Sequence, residues 1–65
     1  MLKVELTKYP ISLEVVNDLV VYLIYNQIKR VPEFISINDE DLQKKPGFKP
    51  VFLEVAHLIR GIEFN

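Results

Sequence analysis

The residues whose types and spacing could do chemistry are few. Glu54 and His57 form a Glu-x-x-His pair, three apart on one helical face. Di-iron carboxylate bundles use two such pairs with two further glutamates, all aimed into the bundle core. A homodimer would supply two copies of the pair. Here both residues fall on the polar side of their segment, so a solvated face is the expected role. Asn38, Asp39, Glu40 and Asp41 are an acidic cluster. A calcium loop needs glycine at its sixth position and glutamate at its twelfth. Glycine is missing there, and Lys44 and Lys45 fall inside the would-be loop. The cluster is expected to open a helix instead. Ser12 and Ser36 are expected caps rather than nucleophiles. His57 is the one histidine and cysteine is absent, so a thiolate site, a thiol nucleophile or a mononuclear zinc site is not expected. Gly47 and Gly61 cannot build a phosphate-cradling loop. No catalytic residue, metal ligand or cofactor is assigned, and the chain is not expected to be an enzyme.

Two further groups could bind rather than react. Lys44, Lys45 and Lys49 surround Pro46-Gly47-Phe48, a basic loop with one aromatic that could touch phosphate and stack a base. Asp39 to Asp41 stand next to it and cancel much of its field. The whole chain has 8 basic against 9 acidic residues and a net charge of −1, so charge does not argue for nucleic acid. Tyr9, Tyr22 and Tyr25 have apolar rings with hydratable hydroxyls, which suit an interface.

These residues must be positioned by a single small domain spanning 1–65. About half the residues are apolar and about a quarter charged, an ordinary globular balance. A core of this size rarely supplies more than about 3–5 kcal/mol. With disulfides and thiolate metal sites excluded, association is the expected staple. The longest purely apolar run, Leu19 to Tyr25, is far short of the ~20 residues a membrane helix needs. The N-terminus lacks a signal-peptide pattern. A cytoplasmic protein that does not enter a membrane is expected.

The expected fold is α+β and helix-dominated. Leu2, Val4 and Leu6 alternate with Lys3, Glu5 and Thr7, which predicts a half-buried strand ended by Pro10. Its partner would be Phe34 to Ile37, Ile62 to Phe64, or the same strand in a second copy. Ser12 is a good N-cap, and the run from Leu13 to Val31 holds no glycine or proline before Pro32. A long helix is expected over 13–31. Its apolar stripe is about 180° wide, beyond the ~100° one core-facing side needs. Residues 32–49 form an irregular segment with a possible short strand and a helical turn capped by Asn38. Pro46-Gly47 is a turn. Pro50 opens a C-terminal amphipathic helix, with Gly61 as its left-handed stop. The expected core is Val4, Leu6, Val16, Val20, Leu23, Ile24, Val51, Val55, Leu58 and Ile62.

The excess apolar surface on 13–31 points to a small protein–protein interaction module, a homo-oligomer (a dimer) or the partner of a larger protein. Its expected interface is Val15, Leu19, Tyr22, Leu23, Tyr25 and Ile28. The alternative comes from the order strand, helix, helix, by which the chain distantly resembles ribbon-helix-helix regulators. That resemblance implies a dimer whose paired strands read the DNA major groove, with Lys3, Glu5 and Thr7 at the reading positions. The alternative nucleic-acid residues are Lys3 and Thr7 from that resemblance, with Lys44, Lys45 and Lys49 from the basic loop. Acidic Glu5 and the long stretch between the two helices depart from that pattern.

Overall fold

The computed structural model describes residues 1–64. Five helices follow one another: α1 (Leu2–Leu6), α2 (Leu13–Tyr25), α3 (Val31–Ser36), α4 (Asp39–Lys44) and α5 (Pro50–Glu63). The described residues contain no strand, so the chain is all-helical rather than α+β. Helix α1 packs on α2 and α3, while α3 and α4 pack on α5.

The N-terminal segment is the first correction. Leu2 and Leu6 are buried and Val4 is exposed. A spacing of four puts two leucines on one face of a helix as well as on one face of a strand. Over five residues the two periods cannot be told apart by those leucines. Helix α1 is too short to hold by itself, and its surroundings hold it. Glu5 accepts from Arg30 Nε at 2.8 Å and from the Val31 N–H at 3.1 Å. Arg30 provides no side-chain cap to α3, so Glu5 satisfies a free donor at that helix start from a distance. The strand that ribbon-helix-helix proteins pair across a dimer has no counterpart in α1.

The helix expected over 13–31 ends at Tyr25, and a turn over 26–30 leads to α3, which begins at Val31. Ser12 caps α2 as expected, accepting from the Val15 N–H at 3.3 Å. The helix stops after Tyr25 because Gln27 adopts φ 62°. The Ile28 N–H then donates to the Leu23 carbonyl at 2.8 Å, and the Gln27 N–H to Ile24 at 3.0 Å. This pair of bonds is a Schellman motif with glutamine at the position glycine usually holds. The turn folds Ile28 and Val31 back into the core, both buried.

Phe34 to Ile37 does not form a strand. Phe34 sits in α3, and Ile37 is its extended C-cap. Asn38 caps α4 as expected, accepting from the Asp41 N–H at 2.8 Å, and Asp39, Glu40 and Asp41 fill the first turn. The Pro46-Gly47 turn has Gly47 at φ 83°. Helix α5 begins at Pro50 and runs through Gly61 to Glu63. Gly61 is therefore helical, not the left-handed stop, and Ile62 to Phe64 offers no partner strand.

The core is built around Phe34, Phe52, Leu6, Leu19, Leu23, Leu42, Ile59 and Val16. Of the expected core, Leu6, Val16, Leu23 and Val55 are buried, and Val20 and Val51 are half-buried. Val4, Ile24, Leu58 and Ile62 are exposed. Helices α2 and α5 meet through aromatic rings: the Tyr22 and Phe52 centroids are 4.8 Å apart. The Tyr22 hydroxyl donates to the Leu42 carbonyl at 2.7 Å, and burial raises its pKa. No helix of the described residues is long and apolar enough to cross a membrane.

Candidate functional site

Helix α2 starts with the capping serine and then carries apolar residues on nearly every side. Its own core takes one side: Val16, Leu19, Tyr22 and Leu23 are buried. The opposite side has two halves. Towards the N-terminus it carries Glu14, Asn17 and Asp18. Towards the C-terminus it carries Val21, Ile24 and Tyr25, which are 69%, 63% and 72% exposed. Positions 21, 24 and 25 share one face at 3.6 residues per turn, so these side chains form a continuous apolar ridge.

A groove lies on each flank of the ridge. One, of about 430 Å³, is bounded by Val21, Tyr22, Tyr25, Pro46, Gly47 and Phe52. Asp18 and Lys49 stand at its polar edge, joined at 3.3 Å. The Pro46–Gly47 wall is tied to α2 by Asn26, whose Nδ2 donates to the Tyr22 and Pro46 carbonyls at 2.9 and 3.0 Å. The other groove, of about 340 Å³, runs between α1 and α2 and is lined by Met1, Leu2, Val20 and Ile24, with Lys3 and Lys29 beside them.

The structure divides the residues expected at an interface. Leu19, Tyr22, Leu23 and Ile28 are committed to this chain's own core. Val15 is half-buried against that core. Tyr25 alone of the six is well exposed. Val21 and Ile24 join it, two residues outside the expected set. For Val21 the signal was the helical projection, which sets it towards Asp18 of the solvated face; Ile24 lies inside the expected stripe, and nothing in the projection marked it as exposed.

The residues of the nucleic-acid alternative fall on two parts of the fold, α1 and the stretch from the end of α4 to the start of α5. Lys3 and Thr7 belong to α1, where the Thr7 hydroxyl donates to the Val4 carbonyl at 2.9 Å. Lys44 pairs with Glu40 at 3.3 Å, Lys45 is the C-cap of α4, and Lys49, paired with Asp18, is the N-cap of α5.

A second polar cluster joins α3, α4 and α5. Arg60 donates from Nη1 to Asp39 at 2.7 Å, from Nε to the Ile35 carbonyl at 2.9 Å, and from Nη2 to Ile37 at 2.6 Å. One planar fork thus satisfies the end of α3 and the first turn of α4. His57 Nε2 meets the other Asp39 oxygen at 2.6 Å. Arg60, then His57, hold the Asp39 carboxyl below its ordinary pKa. His57 is thus partnered with Asp39, and Glu54 lies exposed on α5. Among the described residues no group of three or more histidine, cysteine or acidic side chains could hold a metal ion. The cluster joins helix ends.

Compared with protein-family models, curated proteins and solved structures, the chain matches none.

Proposed function

We propose that this chain is a protein–protein interaction module that binds through the exposed half of α2. The reading is one of binding without catalysis, in a cytoplasmic setting. The observation that carries it is the ridge of Val21, Ile24 and Tyr25, left in water between two apolar grooves. Contiguous exposed apolar surface rimmed by polar residues is characteristic of interaction sites.

Magnitudes limit what the partner can be. Burying the ridge gains on the order of 1–2 kcal/mol per side chain, so about 3–6 kcal/mol in all. Association costs about 4–15 kcal/mol in lost freedom. The ridge alone falls short, and a partner must bring apolar surface of its own to the grooves.

An apolar-sensitive fluorescent dye and sedimentation test the reading together. The wild-type protein should either associate or bind the dye, and Ile24→Glu should remove that behaviour while leaving helix content unchanged. A wild-type protein that neither associates nor binds the dye at any accessible concentration refutes it.

A further inference from the structure

We infer that the groove between α1 and α2 seats a short amphipathic helical segment of another protein, apolar on one face and acidic along the edge of that face. The inference rests on the interaction-module reading above and adds the chemistry of the partner. Its basis is the make-up of the groove. Leu2, Val20 and Ile24 give it apolar walls, with Met1 standing open at 82% exposure. Its two other lining residues are both lysines, Lys3 and Lys29. No acidic side chain among the described residues lines it.

Both lysines are exposed, and neither makes an ion pair among the described residues. The neighbouring cations are already matched, Arg30 by Glu5 at 2.7 Å and Lys49 by Asp18 at 3.3 Å. The acids of α2 stand away from this groove. Asp18 borders the groove on the far flank of the ridge, and Glu14 lies one turn before it on the same row. The acid of α1, Glu5, is turned to Arg30 and the Val31 N–H. What remains is an apolar slot carrying unmatched positive charge. Its complement is a set of apolar side chains with carboxylates beside them.

Shape and charge favour a narrow segment over an anionic bilayer. Helix α1 has five residues, about 7.5 Å of length, so the groove takes about one or two turns of a partner helix. A flat anionic surface would cover the ridge as well and meet Glu14 and Asp18 beyond it. A segment in the groove avoids both, and through Ile24 it still covers part of the ridge. A contact of this size is expected to bind in the micromolar range or weaker.

Fluorescence anisotropy tests the inference with the full chain and a labelled helical peptide of about 15 residues, leucine at every third or fourth position and glutamate beside each leucine. The acidic peptide should bind, more weakly as salt rises, and the same peptide with lysine for glutamate should not. Lys3→Glu and Lys29→Glu should each weaken binding by roughly two- to thirtyfold. The double variant should take the lysine peptide instead. Lys44→Glu makes the same charge change away from the groove and should leave binding unchanged. Equal binding of the two peptides, or equal loss in Lys44→Glu, overturns the charge complementarity. Binding to phosphatidylserine vesicles without binding to the peptide overturns the segment in favour of a membrane. Self-association without peptide binding overturns it in favour of a second copy. A chain that binds the apolar dye but neither peptide overturns the partner's chemistry and leaves the interaction surface standing. A dye-silent monomer that binds neither overturns both.

Discussion

Replacing Gln27 with glycine should stabilise the protein, and the sign of the effect tests how α2 ends. Gln27 holds φ 62° in the Schellman turn, with both bonds of the motif made, at 2.8 and 3.0 Å. A residue with a Cβ costs roughly 1–2 kcal/mol in that left-handed region. Glycine removes the cost and loses about 0.5–1 kcal/mol through the greater freedom of its unfolded chain. The Gln27 side chain is exposed, so little else changes. The net gain is about 0–1.5 kcal/mol, which in a domain of this size raises the melting temperature by up to about 12 °C. Urea unfolding followed by far-ultraviolet circular dichroism measures it. If the helix ran unbroken from Leu13 to Val31, Gln27→Gly would sit in a helix interior and destabilise by about 1 kcal/mol relative to a good helix former. A fall in stability therefore refutes the turn and the separate α3 that follows it.

Phe34→Ala empties a fully buried position and should cost about 3–5 kcal/mol. A single core of this size rarely supplies more than about 3–5 kcal/mol, so the variant should be largely unfolded by circular dichroism at room temperature. Arg60→Lys keeps the charge but not the fork that reaches the Ile35 and Ile37 carbonyls and Asp39. It should lose about 1–3 kcal/mol in urea unfolding, and unchanged stability would show that the fork is not needed. Acid and alkali should each destabilise, for opposite reasons. Arg30 holds the Glu5 carboxyl, and Arg60 the Asp39 carboxyl, below their ordinary values. Their contribution is full above the ordinary carboxyl range and is lost as pH falls through the lowered values. The hydrogen bond to Glu63, with desolvation adding, pushes the Tyr9 hydroxyl up to about 12. Its contribution is full below the ordinary value of 10.0 and is lost as pH rises through about 12. Thermal melts across the pH range check both limbs, and Tyr9→Phe should flatten the alkaline one.

Local signals were legible where a residue acts on its immediate neighbours. Ser12 and Asn38 cap helices three residues ahead of them, Pro50 opens α5, and Pro46-Gly47 turns the chain. Each depends on backbone geometry within one turn. The failures share a different cause. Alternation from Leu2 to Leu6 fits both a strand and a helix, and the choice was made by Glu5 reaching across to Arg30 and Val31. Nothing between Leu13 and Val31 breaks a helix by composition. The break at Gln27 exists because burying Ile28 and Val31 outweighs a strained backbone, a comparison that involves residues far away in the chain. Leu58 and Ile62 align with Val55 on a helical projection, yet α3 and α4 cover only part of that face.

The sequence by itself determined a small chain with no thiol chemistry, near-neutral charge, two well-signalled helices and more apolar side chain on α2 than one face can hide. Tertiary structure decided which of those side chains stay in water. Leu19, Tyr22 and Leu23 of α2, with Ile28 of the turn after it, went to the core, where they cluster with Phe34, Leu42 and Phe52. Val21, Ile24 and Tyr25 stayed out because no other element of the described residues lies over them. Hydrophobicity says that a residue gains by burial, but only the arrangement of neighbours says whether burial is available to it.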